Sequence, residues 1–183
     1  MVIRKHSVQT PEGFEAFVSL PENAERRFEF IDGEIIEVPS NPYSSELSAT
    51  IIFFLKLYAR EQRPGHVTGE QAGYIVAGAR LSPDAAFLSK SRQAELAREG
   101  YNPVAPDLAV EVVSPTDRES DLQKKLSLYM SAGVLVWVFR PVERVVEVHA
   151  PGQSMYTLGI DDTLNGGGVL PGFNIAVKDV FEG

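Results

Sequence analysis

The stretch PDLAVEVVSP at Pro106 to Pro115 runs through five polar residues into DLQKKLSLYMSAGV, Asp121 to Val134, and on into the apolar run VLVWVF, Val134 to Phe139. The middle piece repeats its apolar residues at helical spacing, whereas the outer two are too short for buried helices and rich in valine, so the reading is strand, helix, strand. The helix is expected from about Arg118 to Ala132 with Gly133 as its C-cap, since glycine takes the left-handed conformation there without a Cβ penalty. The last strand, apolar throughout, suits a position covered on both faces, with Arg144 to His149 as its hairpin partner.

Working outward, further strands are expected at 66–76, 84–88 and 107–113, with a polar helix from about Ser91 between the last two. Upstream, Leu47, Ile51, Phe54, Leu55 and Tyr58 form an amphipathic stripe, predicting a helix from Ser44 or Ser45 to about Arg60 that Pro64 and Gly65 stop. Phe28 to Val38 centres on Asp32-Gly33, a strong hairpin signal. Thr10-Pro11 opens a short helix that ends near Pro21. Residues 166–168, three glycines, follow no strand-to-helix pattern and read as a turn. The order after the first hairpin is α-β-β-β-α-β, an α/β fold with a mixed sheet flanked by helices.

The 183 residues suit one domain, 1–183. Without cysteine, disulfide scaffolds, thiolate zinc modules and cysteine nucleophiles are excluded. The three histidines, His6, His66 and His149, have no ligand spacing. Residues 1–11 lack the apolar core of a secretory signal and no apolar run approaches a membrane span, so a cytoplasmic protein without membrane contact is expected. Net charge is −8, yet residues 64–140 carry 8 basic against 9 acidic side chains, so a polyanion would meet least repulsion there.

Ionisable residues in apolar strand runs are costly to bury. Asp84 opens DAAFL, and Glu111 lies among valines on the strand face shared with Asp107, Ala109 and Val113. On the following helix Leu122, Leu126 and Tyr129 define the buried stripe; at about 100° per residue Lys125 leans towards the sheet while Lys124 points to solvent. Each residue alone has a plain structural explanation, an ion-pair partner for the acids and a snorkelling stem for the lysine. Together, two carboxylates and an ammonium form a hard-oxygen site suited to Mg²⁺ or Mn²⁺ and to phosphoryl chemistry.

At these residues the sequence resembles the Uma-type restriction endonuclease family of the PD-(D/E)XK nuclease superfamily, through FEFIDGE (Phe28 to Glu34), PDLAVEVVSP, DLQKKLSLYMSAGV and LPGF (Leu170 to Phe173). The resemblance implies a restriction-endonuclease-like fold and a metal-dependent endonuclease acting on DNA, with Asp84 and Glu111 as metal ligands. Val113 stands where the superfamily's strand lysine would be, and the migrated lysine matches Lys125. The superfamily's first-helix glutamate matches Glu46; Glu34 and Glu70 are further candidates for the rim. A homodimer is expected, since two sites related by a two-fold axis cut both strands of a duplex. The alternative is a catalytically inactive nuclease fold kept as an interaction or assembly module. A two-carboxylate glycosidase is disfavoured by the lysine between the acids.

Overall fold

A computed structural model describes residues 6–7, 10–38, 41–62 and 64–182. The expectation that residues 1–11 carry no apolar leader falls largely outside them.

A short strand β1 (His6–Ser7) precedes helix α1 (Pro11–Val18), whose N-cap Thr10 accepts a hydrogen bond from the Gly13 N–H at 3.2 Å. Strands β2 (Phe28–Ile31) and β3 (Glu34–Glu37) form the expected hairpin; Asp32 and Gly33 both take positive φ, 51° and 80°, as a two-residue turn of matching twist requires. Helix α2 (Pro42–Glu61) begins two to three residues earlier than expected. Asn41 caps it, accepting from the Ser44 N–H at 3.0 Å, and Pro42 takes the first helical position.

Strands β4 (Gly65–Gly69), β5 (Tyr74–Val76) and β6 (Ala79–Leu81) follow. The expected single strand at 66–76 is thus two strands in different sheets. The chain turns after Gly69, and Gly73 leaves no room for a side chain, since a Cβ there would lie 2.3 Å from the Tyr101 ring. A second tight turn, Ala77-Gly78 with φ of 48° and 86°, joins β5 to β6.

Next come β7 (Ala85–Ser89) and β8 (Leu108–Val112). The polar helix expected from Ser91 is absent. Residues 90–103 are turns and bends, fixed by the Asn102 amide and by the His66 ring against the carbonyls of Gln93 and Ala94. That stretch has no apolar stripe to bury, and helical propensity alone does not sustain so short a segment. Helix α3 (Glu119–Ser131), β9 (Leu135–Arg140) and β10 (Val145–His149) match expectation, with Gly133 at φ 74° just past the helix. The chain closes with β11 (Tyr156–Leu158), β12 (Thr163–Gly166), β13 (Leu170–Ala176) and α4 (Val177–Phe181).

The main sheet has the order β11-β10-β9-β8-β7-β4, mixed because β8 and β9 are parallel while their neighbours are antiparallel. One face packs on α2, the β12-β13 ribbon and α4 around Trp137, Phe87 and Phe139. The other packs on α3 and on the smaller sheet β1-β3-β2-β6-β5, through Ala109, Val136, Val138, Leu126 and Tyr129 on one side and Ile31, Ile36 and Leu81 on the other. Helix α1 covers the far face of the smaller sheet through Phe14, Phe28 and Phe30. With β5 and β6 set aside in that sheet, α2, β4, β7, β8, α3 and β9 reproduce the α-β-β-β-α-β order. No helix among the described residues is long and apolar enough to cross a membrane.

Candidate active site

Because β7 runs antiparallel to β8, its start lies beside the carboxyl end of β8, and Asp84 and Glu111 occupy those two ends. Ala85 pairs with Val110, and continuing the register one step sets Asp84 opposite Glu111. Both share the face of Ala86 and Ala109, which is the α3 side. The Asp84 N–H donates to the Val110 carbonyl at 2.9 Å, and its Oδ2 accepts from the Val112 N–H at 2.7 Å, so the residue is tied to β8 through its main chain and through one carboxylate oxygen.

Helix α3 supplies the cation. Lys125 Nζ donates to Glu111 Oε2 at 2.8 Å and its side chain is 12% exposed, against 39% for Lys124, which sits 3.8 Å from Glu34. One turn on, the buried Tyr129 hydroxyl donates to Glu111 Oε1 at 2.9 Å, so both oxygens of Glu111 are engaged from α3.

Two residues not singled out in the sequence complete the cluster. Glu29, on β2, is buried to 1% exposure. Its Oε1 accepts from the Ser82 N–H at 3.0 Å, while Oε2 lies 2.9 Å from Lys125 Nζ as an ion pair without a hydrogen bond of its own. Arg27, two residues earlier, donates from Nη1 to Glu70 at 2.9 Å and from Nη2 to the Ser82 carbonyl at 3.3 Å, with Asp84 Oδ1 at 3.5 Å. Glu29 carries the same signal as Glu111, an acid within the apolar run Phe28 to Ile31.

Of the rim candidates, Glu70 lines the cleft with Asp84, Glu111 and Lys125. Glu34 and Glu46 do not. Glu34 lies at the ion-pair contact with Lys124, and Glu46 is exposed on α2, whose cleft-facing residues are Ser44 and Ser45.

Electrostatics reflect crowding of like charge. Burial, then repulsion from Glu111, pushes Asp84 up to about 6 despite the Val112 N–H, Lys125 and Arg27. Burial also raises Glu111, although Lys125 opposes it. For Lys125, burial acts downward, but Glu111 and Glu29 outweigh it and hold the ammonium above its ordinary range.

The donor set suits a hard divalent cation in kind. Asp84 and Glu111 are adjacent carboxylates, and with Glu29 they set three acids around the single ammonium of Lys125, a surplus of negative charge in a largely buried place. Among the described residues no three acids or histidines converge closely enough to form an all-protein cage. Mg²⁺ takes one or two carboxylates and completes its shell with water and substrate oxygens, so Asp84 and Glu111 are donors of the right kind for it.

The fold has a solved counterpart. A crystal structure from Anabaena variabilis, described as a putative nuclease belonging to DUF820, superposes with a TM-score of 0.78 at 22% identity, covering 92% of this chain and 96% of that one. At that identity the likeness is one of fold. No curated protein matches the sequence. The model of the Uma2 family, described as "Putative restriction endonuclease", matches residues 14–178, a span from α1 into α4 that includes every residue of the cluster. The chain therefore belongs to the Uma2 family.

Proposed function

We propose that the protein is a Mg²⁺-dependent endonuclease hydrolysing phosphodiester bonds in DNA, with Asp84 and Glu111 holding the metal and Lys125 orienting the attacking water. The carrying observation is the meeting of one buried carboxylate, one partly buried carboxylate and one ammonium, from two strands and a helix, at one cleft. Family membership supports the reaction class.

Phosphodiester hydrolysis demands acceleration towards the upper part of the range of ~10⁶ to 10¹⁷. A bound divalent ion supplies Lewis-acid polarisation of the phosphoryl oxygen and a more acidic water. The chain's own residues do the rest. The Val112 N–H orients Asp84, Tyr129 orients Glu111, and Lys125, kept cationic by Glu111 and Glu29, offers its remaining proton for hydrogen bonding to the attacking water. As an ammonium it acts as a donor, not as the base.

We extend the proposal to a homodimer acting on duplex DNA, testable by the mass of the protein in solution with and without DNA. The catalytic reading is tested by D84N, E111Q and K125A, each assayed for Mg²⁺-dependent cleavage of plasmid and linear DNA, with calorimetry of Mn²⁺ binding alongside. Loss of cleavage in all three, with Mn²⁺ binding lost in E111Q, is the expected result. Cleavage surviving in all three overturns the mechanism. Metal binding without any cleavage by the wild-type protein favours the inactive module.

A further inference from the structure

We propose that Arg27 is the substrate-binding cation of the cleft, donating to a non-bridging oxygen of the phosphodiester, and that Glu70 is its resting counter-ion, which the phosphate displaces. This rests on the phosphoryl-transfer reading above and adds the group that receives the substrate's charge.

The cleft is poor in positive charge. Its described lining holds Arg27, Arg118 and Lys125 against a larger number of acids. A phosphodiester entering it needs a cation close to Asp84, and Lys125 is already shared between Glu111 and Glu29. Arg118 is exposed at the start of α3. Arg27 remains, with Nη2 3.5 Å from Asp84 Oδ1, so a phosphoryl oxygen beside Asp84 comes within reach of the guanidinium.

The hydrogen bonding of Arg27 is incomplete in the way such a role requires. Its Nε is buried without an acceptor, the approach to Asp84 is long, and the single short contact to a side chain is Glu70 at 2.9 Å. A guanidinium presents a planar fork of donors matched to two oxygens of a phosphate as well as to a carboxylate. Glu70 is 31% exposed and lies next to the turn that ends β4, so it can withdraw to water when a stronger anion arrives. The Ser82 carbonyl, which accepts from Nη2 at 3.3 Å, keeps the guanidinium in place during the exchange. Glu70 thus occupies, in the resting protein, the position of a substrate oxygen.

The test follows the Arg27 side-chain Nε–H resonance by NMR while inorganic phosphate is titrated into the Mg²⁺-loaded protein, with DNA cleavage assayed on the same samples. Phosphate is expected to shift that resonance. E70Q is expected to tighten phosphate binding about two- to fivefold, the value of a partly exposed ion pair. R27M should weaken it, and E70Q/R27M should bind no more tightly than R27M, because Glu70 acts through the cation at this position. In cleavage, E70Q should lower KM and R27M raise it. An Arg27 resonance unmoved by saturating phosphate, or an E70Q protein with wild-type affinity, overturns the proposal even if DNA is cut. Should phosphate move Arg27 while wild-type protein cuts no DNA, the anion site stands and the nuclease reading falls.

Discussion

Two acids lie four residues apart on one face of the β8 chain, and their surroundings differ in kind. Asp107, just before the strand, is matched: one oxygen accepts from the Ser89 N–H at 2.7 Å and the other from Arg92 at 3.1 Å. Glu111, at the opposite end, is buried beside Asp84 and Glu29, with Lys125 shared between the two glutamates. The first arrangement joins a loop to the sheet and balances its charge locally. The second concentrates negative charge where water cannot screen it, an arrangement that stability alone does not favour and that a ligand can exploit.

The largest expected effect separates the two ends by function. E111Q should lower Mg²⁺-dependent cleavage by at least about 10²- to 10³-fold, the scale of losing one electrostatic contributor to the transition state. D107N should cut at the wild-type rate, and equal losses in the two variants would erase the contrast.

Next comes the lysine. Replacing Lys125 by Met leaves Glu29 and Glu111 buried without their cation, so the metal-free protein should lose about 3 kcal/mol in urea unfolding at pH 7. Mg²⁺ should recover less of that loss in K125M carrying E111Q than in K125M alone.

Asp84 gives a pH signature of opposite sign to an ordinary ion-paired acid. Its folded pKa, about 6, exceeds the ordinary value of 3.8, so the native state holds the proton more tightly than the unfolded chain does. Stability linked to this group is therefore full below about pH 4 and is lost as pH rises through 6. D84N has no such proton, and Asn can still accept from Val112. Its stability relative to wild type should increase by about 2 to 3 kcal/mol between pH 4 and 7 in metal-free buffer. A flat difference would mean that Asp84 bears no electrostatic burden.

The smallest effect is at the matched end. D107A removes the acceptor of the Ser89 N–H and the partner of Arg92, and should cost about 1 to 2 kcal/mol at pH 7 without altering metal affinity. A change in Mn²⁺ affinity there would show the two ends to be coupled.

The α-β-β-β-α-β order was legible in the sequence because long elements advertise themselves: the α2 stripe, the α3 register and the apolar run of β9 each satisfy one periodicity over many residues. The β5-β6 hairpin escaped because three-residue strands leave too little pattern, and the helix expected from Ser91 failed for want of an apolar face. The facing of Glu111 and of Lys125 was legible because strand alternation and helical register are both local rules, while the grouping of Asp84 with them came with the family resemblance. Glu29 was not legible. In sequence, Phe28 to Val38 reads only as a hairpin, and the burial of Glu29 follows from the packing of the smaller sheet against α3. Arg27 escaped for the same reason, since its partners Glu70 and Asp84 come from 43 and 57 positions away.

Carrying the ammonium on a helix instead of on β8 gives the chain an uneven tolerance to insertions. An extra residue among the exposed positions 115–118 lengthens the link ahead of α3 without changing the register of the helix, and α3 can dock as before. One inserted between Lys125 and Leu126 swings the amine by about 100° relative to Leu126 and Tyr129, moving it off the stripe that seats the helix. Length variation among relatives should therefore collect ahead of α3 and avoid its second turn.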